Sequence, residues 1–398
     1  MNETKRRNVL KAVASLPLAN LGLWMSGMNA VHAAAERSLL PGPRFFVRGV
    51  YQQPVEKMAH WKALGVNTIF TMNGGADQAE WTREAVKYGL YMVREPAGFD
   101  GDYVLTDAAA FKEDIANPYF LAVAMVDEPS NLKEGGQGIT YEDVSVTPAK
   151  VDTIARVLSS GGKPLWINHV GNHVNNIYLE KIMSDYADSP YIDWLGHDSY
   201  PIASGNDLVI DIDDYASTQQ GHAIDRLSRW SGGRPQFSFI GLTKYDASSP
   251  GRETTPAEFR AQAWSSIIHG AVGIIYFPFM FSPEFSYDAT PEELQKELLA
   301  FHLEIDHIED ILVDKVKGGR RPYTLLKSVR TTEKQPDGAL PFPFEASAIP
   351  TNSGEYRIIQ NLSPEPAELT YEVWGLDQVK FQPYECKRGF TVADLTKS

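Results

Sequence analysis

The sequence predicts an α/β fold, a (β/α)8 or TIM barrel followed by a small antiparallel β domain of sandwich-like type. Three observations predict it. Short apolar runs alternate with longer amphipathic ones. The short runs are apolar throughout rather than at every second residue, as strands covered on both faces must be. The pairs number eight before the texture of the chain changes, and that number over roughly 270 residues suits a closed barrel.

The first strand is RFFVRGVY, followed by PVEKMAHWKALG, in which Val55, Met58, Trp61 and Leu64 share one helical face. VNTIFTMN is the second strand. QAEWTREAVKYG then leads into LYMVREP, DAAAFKEDIAN into YFLAVAMVDEP, TPAKVDTIARVLSSGG into PLWINHVGN, and LEKIMSDYADSP into IDWLGHDSYP. DYASTQQGHAIDRLSRWSGG reads as one helix before QFSFIGLTKY, and TPAEFRAQAWSSIIHG precedes AVGIIYFPF. PEELQKELLAFHLEIDHIEDIL supplies the eighth helix. The rival, a doubly wound open sheet, usually carries a Gly-rich phosphate-binding turn after its first strand; here that strand exits through RGVYQQP. Past residue 320 come PYTLLKSVR, FEASAIP, EYRIIQNLS and AELTYEVWG, short alternating segments punctuated by Pro and Gly. The expected division is an export signal over residues 1–35, the barrel over 36–318 and the β domain over 319–398.

The chain has 398 residues, 43% of them hydrophobic, with 8 Trp, 18 Tyr and 18 Phe. Such aromatic richness suits a sugar-stacking surface and equally a large core. A net charge of -14 argues against a nucleic-acid or anionic-membrane partner, which would need clustered Lys and Arg. The first residues have a basic start, an apolar middle and a small-residue end, the layout of a cleavable export signal. RRNVLK is twin-arginine-like, with Lys5 and Val9 where Ser and Phe are commoner, and Ala33 or Ala35 is a fitting cleavage point. A periplasmic or secreted bacterial protein, clear of the membrane after cleavage, is expected. Cys386 is the only cysteine, so no intrachain disulfide can form. Oligomeric state is not legible.

FLAVAMVDEPSN, residues 120–131, poses the functional question, because seven mostly apolar residues run into Asp127, Glu128 and Pro129. In such barrels the chemistry sits where strands end and the next loops begin. The strand-end candidates are Arg48, Tyr51, Asn73, Arg94, Glu95, Asp127, Glu128, Asn168, His169, His197, Asp198, Tyr200, Thr243, Lys244, Tyr245 and Tyr276. Asp127 and Glu128 can both reach the mouth only if the strand breaks there, since side chains alternate along a strand. Pro129 favours such a break; an acidic helix cap is the plain alternative.

Acidic-Glu-Pro at the fourth strand end resembles the acid/base signature of the large glycoside hydrolase superfamily of (β/α)8 barrels. WLGHDSYP at the sixth strand and AQAWSSIIHGAVGIIYFPF at the last helix and strand are similar to its common patterns. The resemblance spans residues 44–310 and implies a carbohydrate substrate, with Glu128 as proton donor to the glycosidic oxygen. That role requires Glu128 to hold a proton near neutral pH, for which a neighbouring carboxylate such as Asp127 is one means. The chain departs from the retaining pattern, because QFSFIGLTKYD offers no Glu nucleophile at the seventh strand. Three chemistries stay open: a substrate-assisted one, in which a 2-acetamido group attacks and Asp127 steadies the cation; inversion through Asp198 or Glu95 at roughly 6.5–9.5 Å from Glu128; and one of those carboxylates as nucleophile at about 5 Å.

Arg48, Tyr51, Asn73, Arg94, Glu95, Asn168, His169, His197, Tyr200, Lys244 and Tyr276 are expected to bind substrate or fix the carboxylates, with Trp166, Tyr276 and Phe277 as stacking faces. A metal-dependent hydrolase using His169, His173, His197 and Asp198 is one alternative, although NHVGNHV sits on a strand exit rather than a helix. A noncatalytic carbohydrate-binding barrel is another. No nucleotide, flavin or haem fingerprint is visible, and neither cofactor nor metal is expected. Sugar identity would be set by loops such as 98–110, 130–147 and 202–216.

Overall fold

The computed structural model describes residues 38–101, 103–133, 136, 140–212, 215–330 and 339–397, so the expected export signal lies outside the described residues. Eight strands form the closed barrel: β1 (Val47–Tyr51), β2 (Thr68–Phe70), β3 (Tyr91–Arg94), β4 (Phe120–Asp127), β5 (Leu165–Val170), β6 (Trp194–Asp198), β7 (Gln236–Gly241) and β8 (Gly273–Phe277). Each pairs in parallel with its sequence neighbours, and β8 closes on β1 through Val47↔Gly273 and Arg48↔Ile274. The principal helices are α1 (Met58–Ala63), α2 (Gln78–Lys87), α3 (Ala108–Ile115), α4 (Pro148–Leu158), α5 (Glu180–Ala187), α6 (Gln219–Ser231), α7 (Pro256–Ile268) and α8 (Glu292–Leu312).

Strand alternation divides the core into two layers. Val47, Phe70, Val93, Ala122, Ala124, Trp166, Trp194, Phe237 and Phe239 fill the barrel. Met58, Trp61, Ile69, Met92, Ile274, Phe301 and Ile305 pack between one side of the sheet and its helices. Helix starts are marked in the loops before them: Asp77, Asp107, Thr147, Thr218 and Thr255 each accept a hydrogen bond from a first-turn backbone N–H. Thr255 and Glu258 complete a capping box behind Pro256.

The stretch read as one helix from Asp214 divides. Tyr215–Thr218 is a strand, antiparallel to Val209–Ile212, and α6 begins only at Gln219. The Thr218 side chain accepts from the Gly221 N–H, which fixes that start. Ser328–Val329 and Leu340–Pro341 extend this hairpin into a four-stranded sheet, tying the C-terminal segment to the barrel. A second four-stranded sheet is built from Thr324–Leu326, Phe344–Thr351, Gly354–Asn361 and Cys386–Gly389, all antiparallel, and Ala367–Tyr371 pairs with Leu376–Phe381. Among the described residues no helix is long and apolar enough to cross a membrane.

Candidate active site

β4 reaches the mouth through a bulge. Ala124 faces Trp166 of β5 and Asp127 faces Asn168, so β4 takes three residue steps where β5 takes two. Met125 and Val126 both join the outer apolar layer, and Asp127 is thereby returned to the inward phase. Glu128 follows with φ 45°, a left-handed conformation that turns the chain again at the rim. A bulge followed by a left-handed residue is how two adjacent carboxylates can serve one mouth. Left-handed non-glycine residues gather here: Gln52, Thr71, Glu128 and Tyr245 lie within four residues of strand ends, and Tyr103 lies in the loop after β3. Each such residue costs about 1–3 kcal/mol, so the mouth loops carry much of the backbone strain.

Both Asp127 oxygens are held. The Tyr51 hydroxyl donates to Oδ2 at 2.7 Å and Asn168 Nδ2 to Oδ1 at 3.1 Å. The carboxylate opens toward solvent on one side, yet enclosure by the barrel wall and then the charge of Glu128 raise it to about 6, against the lowering donors Tyr51 and Asn168. Asn131 Nδ2 donates to Glu128 Oε2 at 2.5 Å, and the Glu128 N–H donates to the Asn168 carbonyl at 3.1 Å. Asp198, at the end of β6, lies within hydrogen-bonding reach of Glu128. Burial first, then the neighbouring Glu128 carboxylate, push Asp198 well above the usual range, so Asp198 favours its protonated form. Tyr200 stands beside these groups, its hydroxyl pushed up by burial and by the charges of Asp198 and Glu128. Glu95 sits exposed at the rim, accepts from the Tyr103 hydroxyl at 3.1 Å, and adds its charge to the field at Asp127.

The structure thus brings together Asp127, Glu128, Asp198, Tyr51, Asn168, Tyr200 and Glu95. It turns five other candidates to the outer face of the sheet, and those expectations are corrected. Arg48 donates to Asp306 at 2.5 Å and to the His302 carbonyl at 3.3 Å, both on α8. Arg94 is locked to Asp114 of α3 and Thr82 of α2. The His169 ring lies 5.6 Å from Tyr186 of α5, and the His197 Nε2 meets Ser238 Oγ at 3.4 Å. Burial holds both imidazoles down at about 3, so they are neutral. The Tyr276 hydroxyl lies 2.7 Å from His302 Nε2 behind the sheet. Trp166 is buried inside the barrel against Phe70 and Phe239, where no sugar can stack. Lys244 turns back to the Ala247 carbonyl at 3.4 Å in its own loop. Asn73 lies in the loop after β2 with a buried, unpartnered Oδ1.

Asn131 and the aromatic residues of the loop after β8 were not singled out from sequence, whereas Phe277 at the end of β8 was. Phe277, Phe279, Phe281, Phe285 and Tyr287 form one chain of ring contacts joined to Tyr51 and Tyr200. The alternation in FPFMFSPEF was the legible sign. Among the described residues no three His, Cys, Asp or Glu side chains are grouped to hold a metal ion; His173 meets Ser130 Oγ at 3.1 Å.

Fold and site together define a closed parallel (β/α)8 barrel with a carboxylate cluster at the C-terminal ends of its strands. No family model matches the chain, and no curated protein does. Similar solved structures include a β-galactosidase from the psychrophilic Marinomonas ef1, at 14% identity and TM-score 0.43 over 68% of this chain and 61% of that one. AmyP in complex with maltose matches at 9% identity and TM-score 0.47, over 84% and 88% of the two chains. A GH128 exo-β-1,3-glucanase from Aureobasidium namibiae matches at 9% and 0.37, over 69% and 93%. The chain spans about three fifths of the length of the β-galactosidase.

Proposed function

We propose that the protein is a glycoside hydrolase in which Glu128 protonates the departing glycosidic oxygen and Asp127 supports the sugar side of the reaction. One observation carries the reading: Asp127, Glu128 and Asp198 converge on one mouth, where the Glu128 charge raises both of the other carboxyls. A protonated carboxyl is what leaving-group departure needs, and like-charge crowding is a standard way to keep one. The seventh strand ends in Gly241, Leu242 and Thr243, none of them a nucleophile for a double displacement.

Substrate assistance fits best. The oxygen of a 2-acetamido group attacks the anomeric carbon, the bond to the leaving oxygen breaks, and the Glu128 proton goes to that oxygen. Asp127, fixed by Tyr51 and Asn168, accepts from the acetamido N–H and steadies the developing cation. Water then opens the cyclic intermediate, giving its proton to Glu128. Inversion with Glu95 as base is the second reading, favoured by the charge Glu95 projects onto Asp127.

The test is hydrolysis of aryl glycosides with and without a 2-acetamido group, and of polysaccharides, by the protein beside Glu128→Gln and Asp127→Asn, with the first-formed anomer followed by NMR. Retention, a preference for 2-acetamido sugars and a loss of at least ~100-fold in both variants are expected. Inversion would transfer the base role to Glu95, and a fully active Glu128→Gln would end the acid assignment. The proposal extends to export, on the RRNVLK segment and the small-residue end of residues 1–35. Arg6→Lys together with Arg7→Lys should hold the protein in the cytoplasm on cell fractionation.

A further inference from the structure

The loop after β8 is a pinned hairpin that displays aromatic rings beside the carboxylates. Met280 and Ser286 exchange backbone hydrogen bonds at 3.0 and 2.8 Å. The Phe281 N–H donates to the Tyr245 carbonyl at 2.5 Å, Ser282 Oγ donates to Asp246 Oδ1 at 2.9 Å, and Gln53 Nε2 holds the Tyr287 carbonyl at 2.9 Å. The rings climb outward from the site. Tyr51, whose hydroxyl holds Asp127, lies 6.1 Å from Phe277 and from Phe279; Phe279 lies 6.1 Å from Phe281 and 6.2 Å from Phe285. Phe279 is 3% exposed, whereas Phe281 and Phe285 are 37% and 43% exposed. Two phenyl rings held in water by a loop whose own hydrogen bonds are satisfied lose burial that they would gain by folding inward. Their ordering, rather than any shortage of core, is what the hairpin enforces.

We propose that Phe281 and Phe285 form a stacking platform for sugar units of the substrate beyond the cleaved bond, so that the protein acts on chains of several units rather than on single terminal sugars. This rests on the glycosidase reading. Flat, weakly hydrated faces of pyranose rings cover phenyl rings without requiring charge, and the two exposed rings, Phe281 and Phe285, lie 6.3 Å apart with their planes tilted by 34°, near enough to share one sugar chain. Continuity with Tyr51 and Phe277 places the platform on the path a chain takes from Asp127 and Glu128 to solvent. A pre-ordered platform costs little entropy on binding.

The experiment compares the wild type with Phe281→Ala/Phe285→Ala and with Phe281→Trp. The probes are glycol chitin, galactan, xylan and β-glucan in affinity electrophoresis, and oligosaccharides of two and six units from whichever polysaccharide retards the wild type. Retardation should be lost in the double Ala variant and kept in Phe281→Trp. The ratio of kcat/KM on the six-unit to the two-unit substrate should fall about tenfold in the double Ala variant, mainly through KM. An unchanged ratio with unchanged retardation overturns the platform, as does retardation of the wild type by none of the four. A loss confined to long-chain alkyl glycosides, independent of sugar number, overturns the sugar assignment in favour of an apolar aglycone. Retardation that depends on Phe281 and Phe285 without cleavage of any probe upholds the platform while removing the glycosidase reading on which its catalytic meaning rests.

Discussion

Tyr51 is the residue through which the two adjacent carboxylates become unlike. Its hydroxyl lowers Asp127, so that enclosure and Glu128 raise it only to about 6, whereas Asp198 receives no lowering side-chain donor among the described residues and is held well above the usual range. At neutral pH the site therefore holds an ionised Asp127 beside a protonated Asp198, one group to steady positive charge and one to keep a proton at the mouth. The rate should accordingly rise as pH climbs through about 6, where Asp127 ionises, and fall where Asp198 loses its proton. Tyr51→Phe removes the lowering donor, so the acid limb should move to higher pH. A roughly tenfold loss of kcat/KM at pH 6 should recover in part at pH 8. A loss equal at all pH values would make Tyr51 a packing residue only. Asp198→Asn acts on the other limb. With that titrating carboxyl gone, the alkaline limb should be lost or displaced, and a pH–rate profile that leaves this limb in place would remove Asp198 from the proton's control.

The elements themselves were legible because barrel strands and their helices carry different periods, and all eight alternations recur in the fold. What the pattern could not supply was phase. Where both faces of a strand are apolar, hydrophobicity does not say which residues look inward. Arg94 and Glu95, Asn168 and His169, His197 and Asp198, and Tyr276 and Phe277 are in each case an outward and a mouthward neighbour, and sequence reading took both. The β4 bulge was illegible for the same reason, since one more apolar residue in an apolar run leaves no trace. A polar cluster outside the mouth was missed altogether. His269, just past α7, is wholly buried with Nδ1 at 2.9 Å from Asp225 of α6 and Nε2 at 3.0 Å from Glu345 of the C-terminal sheet. Burial pulls this imidazole down, but Asp225 and Glu345 together outweigh it and hold it at about 9. Asp225 is held at about 2, because His269 and Lys327 overcome its own burial. A group raised in the folded state stabilises fully below its unfolded value of about 6.5 and loses that contribution as pH rises toward 9. Melting temperature should therefore fall between pH 6.5 and 9, a loss on the order of 3 kcal/mol for this group. His269→Gln should be less stable at pH 6 and show a flatter decline by calorimetry. An equally steep decline would place the pH dependence elsewhere.

At the scale of the molecule, barrel and C-terminal sheets share one core. Ile349, Tyr356 and Ile358 of the sheet pack in the same apolar cluster as Trp264 and Ile268 of α7 and Phe301 and Ile305 of α8. Polar contacts repeat the connection: Gln360 Nε2 donates to the Ala261 carbonyl at 3.0 Å, the Tyr323 hydroxyl to the His269 carbonyl at 2.6 Å, and Arg388 pairs with Glu304 at 2.7 Å. The hairpin between β6 and α6 is itself completed by Ser328–Val329. Removing the sheets would bare Trp264, whose face Arg388 also covers at 4.6 Å, and leave Glu345 and His269 without each other. Exposed core area of that kind is worth about 25 cal/mol per Å², far beyond the margin of 5–15 kcal/mol by which domains are stable. Heat should therefore unfold the described molecule in one transition, with calorimetric and van't Hoff enthalpies in agreement. A chain ending at Gly319 should fail to give that transition, collecting instead as aggregate or as a protease-sensitive species. Two separated transitions, or a soluble truncated barrel keeping the wild-type rate, would mean that the sheets are a passenger and that the interface built by His269, Gln360 and Arg388 serves something other than the stability of the barrel.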